Sequence, residues 1–204
     1  MKKIILTFIG LLSISVSCMA QTEKGKILLG GDFYFKTRKV INTAGRSTDF
    51  GINPVAGFFV ADNLVIGAGL GYKHSSYPQN VIEDGEVVSF TQRKAYIFRV
   101  NPYGRYYVGI TPQLKFFGQL EAAVNWRNIK ASDADAAKGE KDFKSNFYTA
   151  ALSPGFALFP SKKIGIELSF SGFQFSRDKS IGDFQSFSFG SDFFSPRLGI
   201  QFYL

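Results

Sequence analysis

The chain is poor in the residues that staple a fold, ligate metals or cross a membrane as helix. It has one cysteine, Cys18, and one histidine, His74, in 204 residues. A lone cysteine excludes an internal disulfide. A single imidazole beside scattered carboxylates is a poor metal set, so no cofactor is expected. Past the leader, no stretch reaches the ~18 consecutive apolar residues of a membrane-crossing helix. There is no glycine-rich phosphate loop and no arginine-rich run. The net charge of +8 therefore points away from nucleic acid and, on an exported chain, toward phosphate-bearing lipid headgroups.

The leader is "MKKIILTFIGLLSISVSCMA". Two lysines, a short apolar run from Ile4 to Leu12, a serine-rich stretch and the small Ala20 form the layout of a secretory signal peptide. Cleavage is expected after Ala20, giving residues 1–20 as leader and 21–204 as one domain. Lipidation at Cys18 is the rival processing route; Ser15 stands where a lipobox ordinarily has leucine.

What the chain does have is 23 Phe, 9 Tyr and 21 Gly, which favour strands and interrupt helices. The arrangement decides more than the amounts. From Leu64, "LVIGAGLGY" puts Leu64, Ile66, Ala68, Leu70 and Tyr72 on one face and Val65, Gly67, Gly69 and Gly71 on the other. "LKFFGQLEAAVNW" from Leu114 and "IGIELSF" from Ile164 split the same way: one face greasy, the other small, polar or charged. "INPVAGFFV", "VNPYGRYYV", "LSPGFALFP" and "FSPRLGIQFYL" do so too, each with a proline on the greasy face: Pro54, Pro102, Pro154 and Pro196. With "KILLGGDFYFK" from Lys26 the strands number eight.

Short joints ("VADN", "ITPQ", "PSKK") alternate with long polar ones, Thr37–Ser47, Ser75–Thr91, Ile129–Ser145 and Arg177–Ser186. Eight strands with tight turns at one end and long loops at the other predict an all-β, eight-stranded antiparallel up-and-down transmembrane barrel, greasy face to lipid. Proline cannot donate to a ladder. Each of the four sits roughly 18–22 Å above the turn end, at the outer rim of a ~25 Å apolar band. A bulge or a frayed ladder is expected there. Aromatics bracket the band, with Tyr72, Tyr96, Trp126 and Tyr148 at one end and Phe58, Tyr106, Phe116, Phe159 and Phe202 at the other. Near Gly172 and Gly190 the alternation slips, by a bulge or by strands leaving the membrane. The competing architecture is a soluble lipocalin-like barrel with the greasy face inside around a ligand.

"NPVAGFFVADNLVIGAGLGY", "VNPYGRYYV" and the terminal "SPRLGIQFYL" resemble the small OmpX/OmpA-type outer-membrane β-barrel domains common in Bacteroidetes, and the likeness covers everything after the leader. The resemblance implies an outer-membrane protein with both termini periplasmic and long loops extracellular, assembled by the barrel-insertion machinery. Such domains usually end on an aromatic; here Phe202 and Tyr203 precede Leu204. A monomer is expected.

Inward parity is expected for Arg99, Arg105, Glu121, Arg127, Glu167 and Arg197, with Glu121 near Arg105 and Arg99, and Glu167 near Arg197. An eight-stranded barrel holds only its own side chains, and enclosed charges need partners. A salt-bridged plug is therefore expected, against an ion path along Lys115, Glu121, Arg105 and Arg99. Lys36, Arg38, Lys39 and Arg46 make the first loop basic, joined by Arg177 and Lys179 on the same rim, and lipopolysaccharide phosphates are the expected partner. His74 lies beside Ser75 and Ser76, upstream of Glu83, Asp84 and Glu86. No catalytic constellation surrounds it, so no enzyme is expected. The function expected is structural or surface-interacting, in envelope integrity, adhesion or loop-mediated binding; a small pore or transporter is the alternative.

Overall fold

A computed structural model of the chain describes residues 19–39, 45–83, 86–132, 139, 141–180, 182–190 and 196–204, with side chains described outside 19–20 and 80–90. The expected leader, Cys18 included, lies outside the described residues up to Met19, and so does Phe194. A short 3-10 segment, Met19–Thr22, precedes ten strands: β1 Ile27–Lys39, β2 Arg46–Ala61, β3 Leu64–Glu83, β4 Glu86–Gly109, β5 Leu114–Ile129, β6 Phe143–Leu158, β7 Ile164–Ser169, β8 Phe173–Asp178, β9 Phe184–Phe189 and β10 Arg197–Tyr203.

Strands β1 to β6 pair in sequence order, β6 with β7, β7 with β10, and β10 with β1. The ring closes with eight members, all antiparallel. β8 and β9 form a hairpin hung on β6 above β7. Phe156 faces Leu168 on β7, whereas Leu152 faces Phe173 on β8. That is one residue further along than an unbroken ladder gives, so a one-residue bulge lies between them. It returns Phe173 and Phe175 to the outer face, and settles the slip near Gly172 as a bulge. Gly190, just after β9, adopts a left-handed φ of 61 that glycine accepts freely.

The orientation is apolar outside and polar within. Leu70, Leu120, Ile166 and Ile200 are exposed on the outer face; Glu121, Glu167, Gln119 and Asn101 are buried inside. A soluble barrel lined with apolar side chains is the inverse of this arrangement. The glycines of β3 explain themselves here: a Cβ on Gly67 would stand 2.8 Å from both the Gly57 backbone and the Tyr103 ring. Only a bare backbone leaves the lumen room for rings crossing from β4.

Pro54, Pro102 and Pro196 are exposed and Pro154 is half-buried. Pro54 stays in register with Gly31 on β1, yet the β2–β3 ladder passes from Ile52↔Tyr72 to Val55↔Gly69 with Asn53 and Pro54 unpaired. Pro102 repeats this: paired with Ala68 on β3, skipped between Val100↔Val124 and Tyr103↔Glu121 on the β5 side. Pro154 pairs with Gly118 on β5, and the β7 ladder begins just after it at Gly155↔Ser169. The ladder is locally open with register kept, so the bulge alternative does not apply at Pro54 and Pro102. A missing N–H forfeits one rung without displacing any side chain.

Two expectations about loops are corrected. Lys36, Arg38, Lys39 and Arg46 belong to strands, since the β1–β2 ladder continues to Lys39↔Arg46. The stretch 75–91 is paired too, with the β3–β4 ladder running from Ser75↔Ala95 to Glu83↔Glu86. Polar side chains on both faces looked like loop, but a strand surrounded by water needs no greasy face.

Candidate functional site

Three features compete: the charged lumen, a cavity above it, and the basic rim.

The lumen is filled from the turn end upward. Thr22 and Gln21 are buried there, with Thr22 Oγ1 donating to Asn63 Oδ1 at 2.6 Å and Gln21 Nε2 to the Ser161 carbonyl at 3.3 Å. Lys115, part of the alternative ion path, donates to Thr22 and to Asn63 Oδ1, the latter at 3.1 Å. Asn63 supplies the turn with φ 64, a conformation its short polar side chain tolerates. Above this lies an aromatic layer of Phe59, Tyr107, Phe117, Phe159 and Tyr203. Phe159, expected on the outer belt, is buried with its ring 5.0 Å from that of Tyr203. It follows the last residue of β6, and alternation turns it inward.

Arg105 and Glu167 sit on that layer. Arg105 Nη1 reaches both Glu167 oxygens at 2.7 Å, and Tyr107 and Tyr203 hydroxyls approach Glu167 Oε1 at 3.1 and 2.9 Å. Arg105 also donates to Gln119 Oε1 at 2.8 and 2.6 Å and lies 4.4 Å over the Phe117 ring. Glu167 was expected beside Arg197; it meets Arg105 instead, because a long side chain crosses the narrow lumen to a strand that height counting along neighbours does not reach. Glu121 pairs with Arg99, as its position suggested, and accepts from Gln119 at 3.0 Å. Arg127 pairs with Asp178 at 2.7 Å. Asp178 was missed: without the bulge, its parity is outward.

Above this network a cavity of about 360 Å³ opens, lined by Asp32, Tyr34, Lys73, Arg99, Ser153 and Arg197 among others. Asn53 donates to Asp32 at 3.1 Å, Lys73 lies 3.6 Å from Asp49, and Arg99 holds Glu121. Arg197 has no ion pair or hydrogen bond among the described residues.

At the rim, Lys36, Arg38, Lys39, Arg46 and Lys179 are exposed. Arg177 is committed: its guanidinium grips Asp183 with two bonds of 2.7 Å. That hydrogen bonding holds the Asp183 carboxyl below the usual carboxylate range. Across the rim, bonds from Lys130 and from the Ala131 backbone do the same for Asp142. His74 packs against the Tyr96 ring at 4.8 Å between centroids.

No family model matches the sequence, and no curated protein is significantly similar to it. Solved structures do share its form. Neisserial surface protein A superposes with a TM-score of 0.52 at 11% identity, covering 88% of this chain and 97% of that one. The attachment invasion locus protein of Yersinia pestis gives 0.42 at 12% identity, over 89% and 99%. The N-terminal barrel domain of Pseudomonas aeruginosa OprF gives 0.40 at 12% identity, over 89% and 98%. The first of these likenesses identifies a shared eight-stranded barrel fold.

Proposed function

We propose that the chain is an integral outer-membrane barrel with a filled lumen, acting through its outer surface and loops in envelope integrity, adhesion or surface binding. The observation carrying this is the outward apolar face wrapped around a closed ring, with Arg105, Lys115, Glu121 and Glu167 buried inside it. A water-bathed protein would expose the reverse. Fully satisfied backbone in a closed ring is the only β arrangement that hydrocarbon accepts. The leader-like first residues support export, and the barrel fold shared with neisserial surface protein A supports the kind of protein.

The aromatic layer and the Arg105–Glu167 pair close the path from mouth to mouth, which favours a plug over a conducting pore. Exposed Lys36, Arg38, Lys39 and Arg46 offer a basic patch at the long-loop end, suited to phosphates of lipopolysaccharide. The chain is read as a monomer. Membrane fractionation, followed by electrophoresis with and without boiling, tests the whole reading. Recovery from the outer-membrane fraction with heat-modified mobility is expected; a soluble monomer would overturn it. In planar bilayers, a reproducible open level of substantial size would overturn the plug.

A further inference from the structure

On the outer wall, β5 and β6 change character at one shared rung. Below it β5 turns Leu120, Ala122 and Val124 outward, and β6 turns Leu152, Ala150 and Tyr148 outward. At the rung itself Trp126 faces Asn146, and above it Asn128 faces Lys144. In an outer-membrane barrel such a rung marks where hydrocarbon gives way to headgroups. Two depressions meet there. One, of about 310 Å³, is walled by Tyr96, Phe98 and Trp126 with Asn128 above. The other, of about 510 Å³, is walled by Tyr148, Lys179 and Ser180. Lys144 and Asn146 border both, so the two form one groove. Lys179 stands one residue beyond the Phe147↔Asp178 rung, which sets it beside Asn146. Two lysines therefore flank one amide side chain.

The described carboxylates around the groove are already engaged. Asp142 is held by Lys130 and the Ala131 N–H, and Asp183 by Arg177. Asp178, next to Lys179 in the chain, turns inward to Arg127. Lys144 and Lys179 add to the field at Asp142 and Asp183 without bonding to either. Four cations thus share two carboxylates among the described residues, and the two that line the groove are the ones left over.

We propose that this groove binds the phosphorylated saccharide headgroup of an outer-leaflet glycolipid. Its phosphate lies on Lys144 and Lys179, its sugar ring against Trp126 and Asn146, and its acyl chains along the apolar wall below. The proposal rests on the membrane reading above. A bare phosphate would fill little of a groove this size. A sugar ring offers C–H faces to an indole and hydroxyls to amides, which is the mixture this wall presents. Lysine suits the phosphate as a compact charge on a mobile stem. The groove, on β5, β6 and the residues after β8, is a different surface from Lys36, Arg38, Lys39 and Arg46 on β1 and β2.

Trp126 is the single tryptophan of the chain, so its emission reports on this groove. The test titrates the folded protein in neutral micelles with diphosphoryl lipid A, with its dephosphorylated form, and with phosphatidylglycerol. Lipid A should change Trp126 emission to saturation at one per chain, and the other two lipids should need about ten times as much. Lys144→Gln with Lys179→Gln should raise the half-saturating lipid A concentration about tenfold. Lys162→Gln with Lys163→Gln, which removes two charges at the turn end, should leave it unchanged. Either control lipid matching lipid A, no lipid A response, or a response indifferent to Lys144→Gln with Lys179→Gln overturns the proposal. So does an equal rise in both double variants. In vesicles of bromine-tailed phosphatidylcholine, Trp126 should be quenched in the unaltered protein and in both double variants. Quenching there with no lipid A response sinks the groove alone, whereas no quenching sinks the membrane reading and the groove with it.

Discussion

Removing the carboxylate at position 167 should be the most damaging single change in the lumen. Glu167 is 3% exposed and Arg105 6%, so water cannot re-solvate the guanidinium once its partner is gone. Glu167→Leu leaves a buried positive charge facing two tyrosine hydroxyls, and breaking a buried pair in this way costs ~3–5 kcal/mol. With a urea slope of roughly 2 kcal/mol per molar, the unfolding midpoint should fall by ~1.5–2.5 M. Urea titration of the barrel in micelles, read by the fraction that migrates as the compact band in an unboiled gel, gives that midpoint directly. The companion variant is Arg105→Met with Glu167→Leu. Replacing both partners with apolar groups of similar volume should restore most of the loss, since the Tyr107–Tyr203 hydroxyl contact at 3.0 Å survives the exchange. A single-variant shift below ~0.5 M, or a double variant as unstable as the sum of the two singles, would refute the claim that the pair compensates a buried charge.

Leu70→Arg places a charge on the outer face, where Leu70 is 54% exposed. In a lipid-embedded barrel it should cost ~2–4 kcal/mol in a vesicle refolding equilibrium, whereas a water-bathed surface would register under ~0.5 kcal/mol. Gly67→Val drives a side chain into the Gly57 backbone and should cost ~1–3 kcal/mol by the same measurement, with no change if the lumen were slack. The Arg177–Asp183 pair bears on pH. Because the folded Asp183 carboxyl titrates lower than an unfolded one, its stabilising bonds are fully present above the unfolded value and are lost as pH falls through the lowered folded value. Carboxyl NMR of Asp183 should show a midpoint below the ordinary aspartate range, rising to it in Arg177→Gln.

Much of the ring was legible because lipid demands a regular pattern. The alternation of Leu64, Ile66, Ala68, Leu70 and Tyr72 fixed which way β3 faces, and the prolines marked where ladders open. Partners inside the lumen were less legible. Arg99 and Glu121 lie on adjacent strands, β4 and β5, and could be matched by height; Arg105 and Glu167 meet across the tube, where strand stagger decides. Asp178 was hidden behind the bulge after Ser169, which reverses every parity above it. The hairpin of β3 and β4 carried a signal that went unused: Asp84-Gly85 is the dipeptide of tight two-residue hairpins, masked by Pro78 and a run of polar residues that looked like loop.

That hairpin also sets how the protein greets its surroundings. β2 stops accompanying β3 at Thr48↔Ser76, and β5 leaves β4 at Ala95↔Ile129. Gly45 still adjoins Pro78, and from Gln79 to Glu83 no ladder among the described residues joins the two strands to a neighbour, a ribbon of roughly 15–17 Å. A two-stranded ribbon on its own is only marginally stable, so this end of the hairpin owes its order to the barrel it grows from. On the outer-membrane reading proposed above, with the long connections facing outward, this ribbon stands beyond the barrel's mouth.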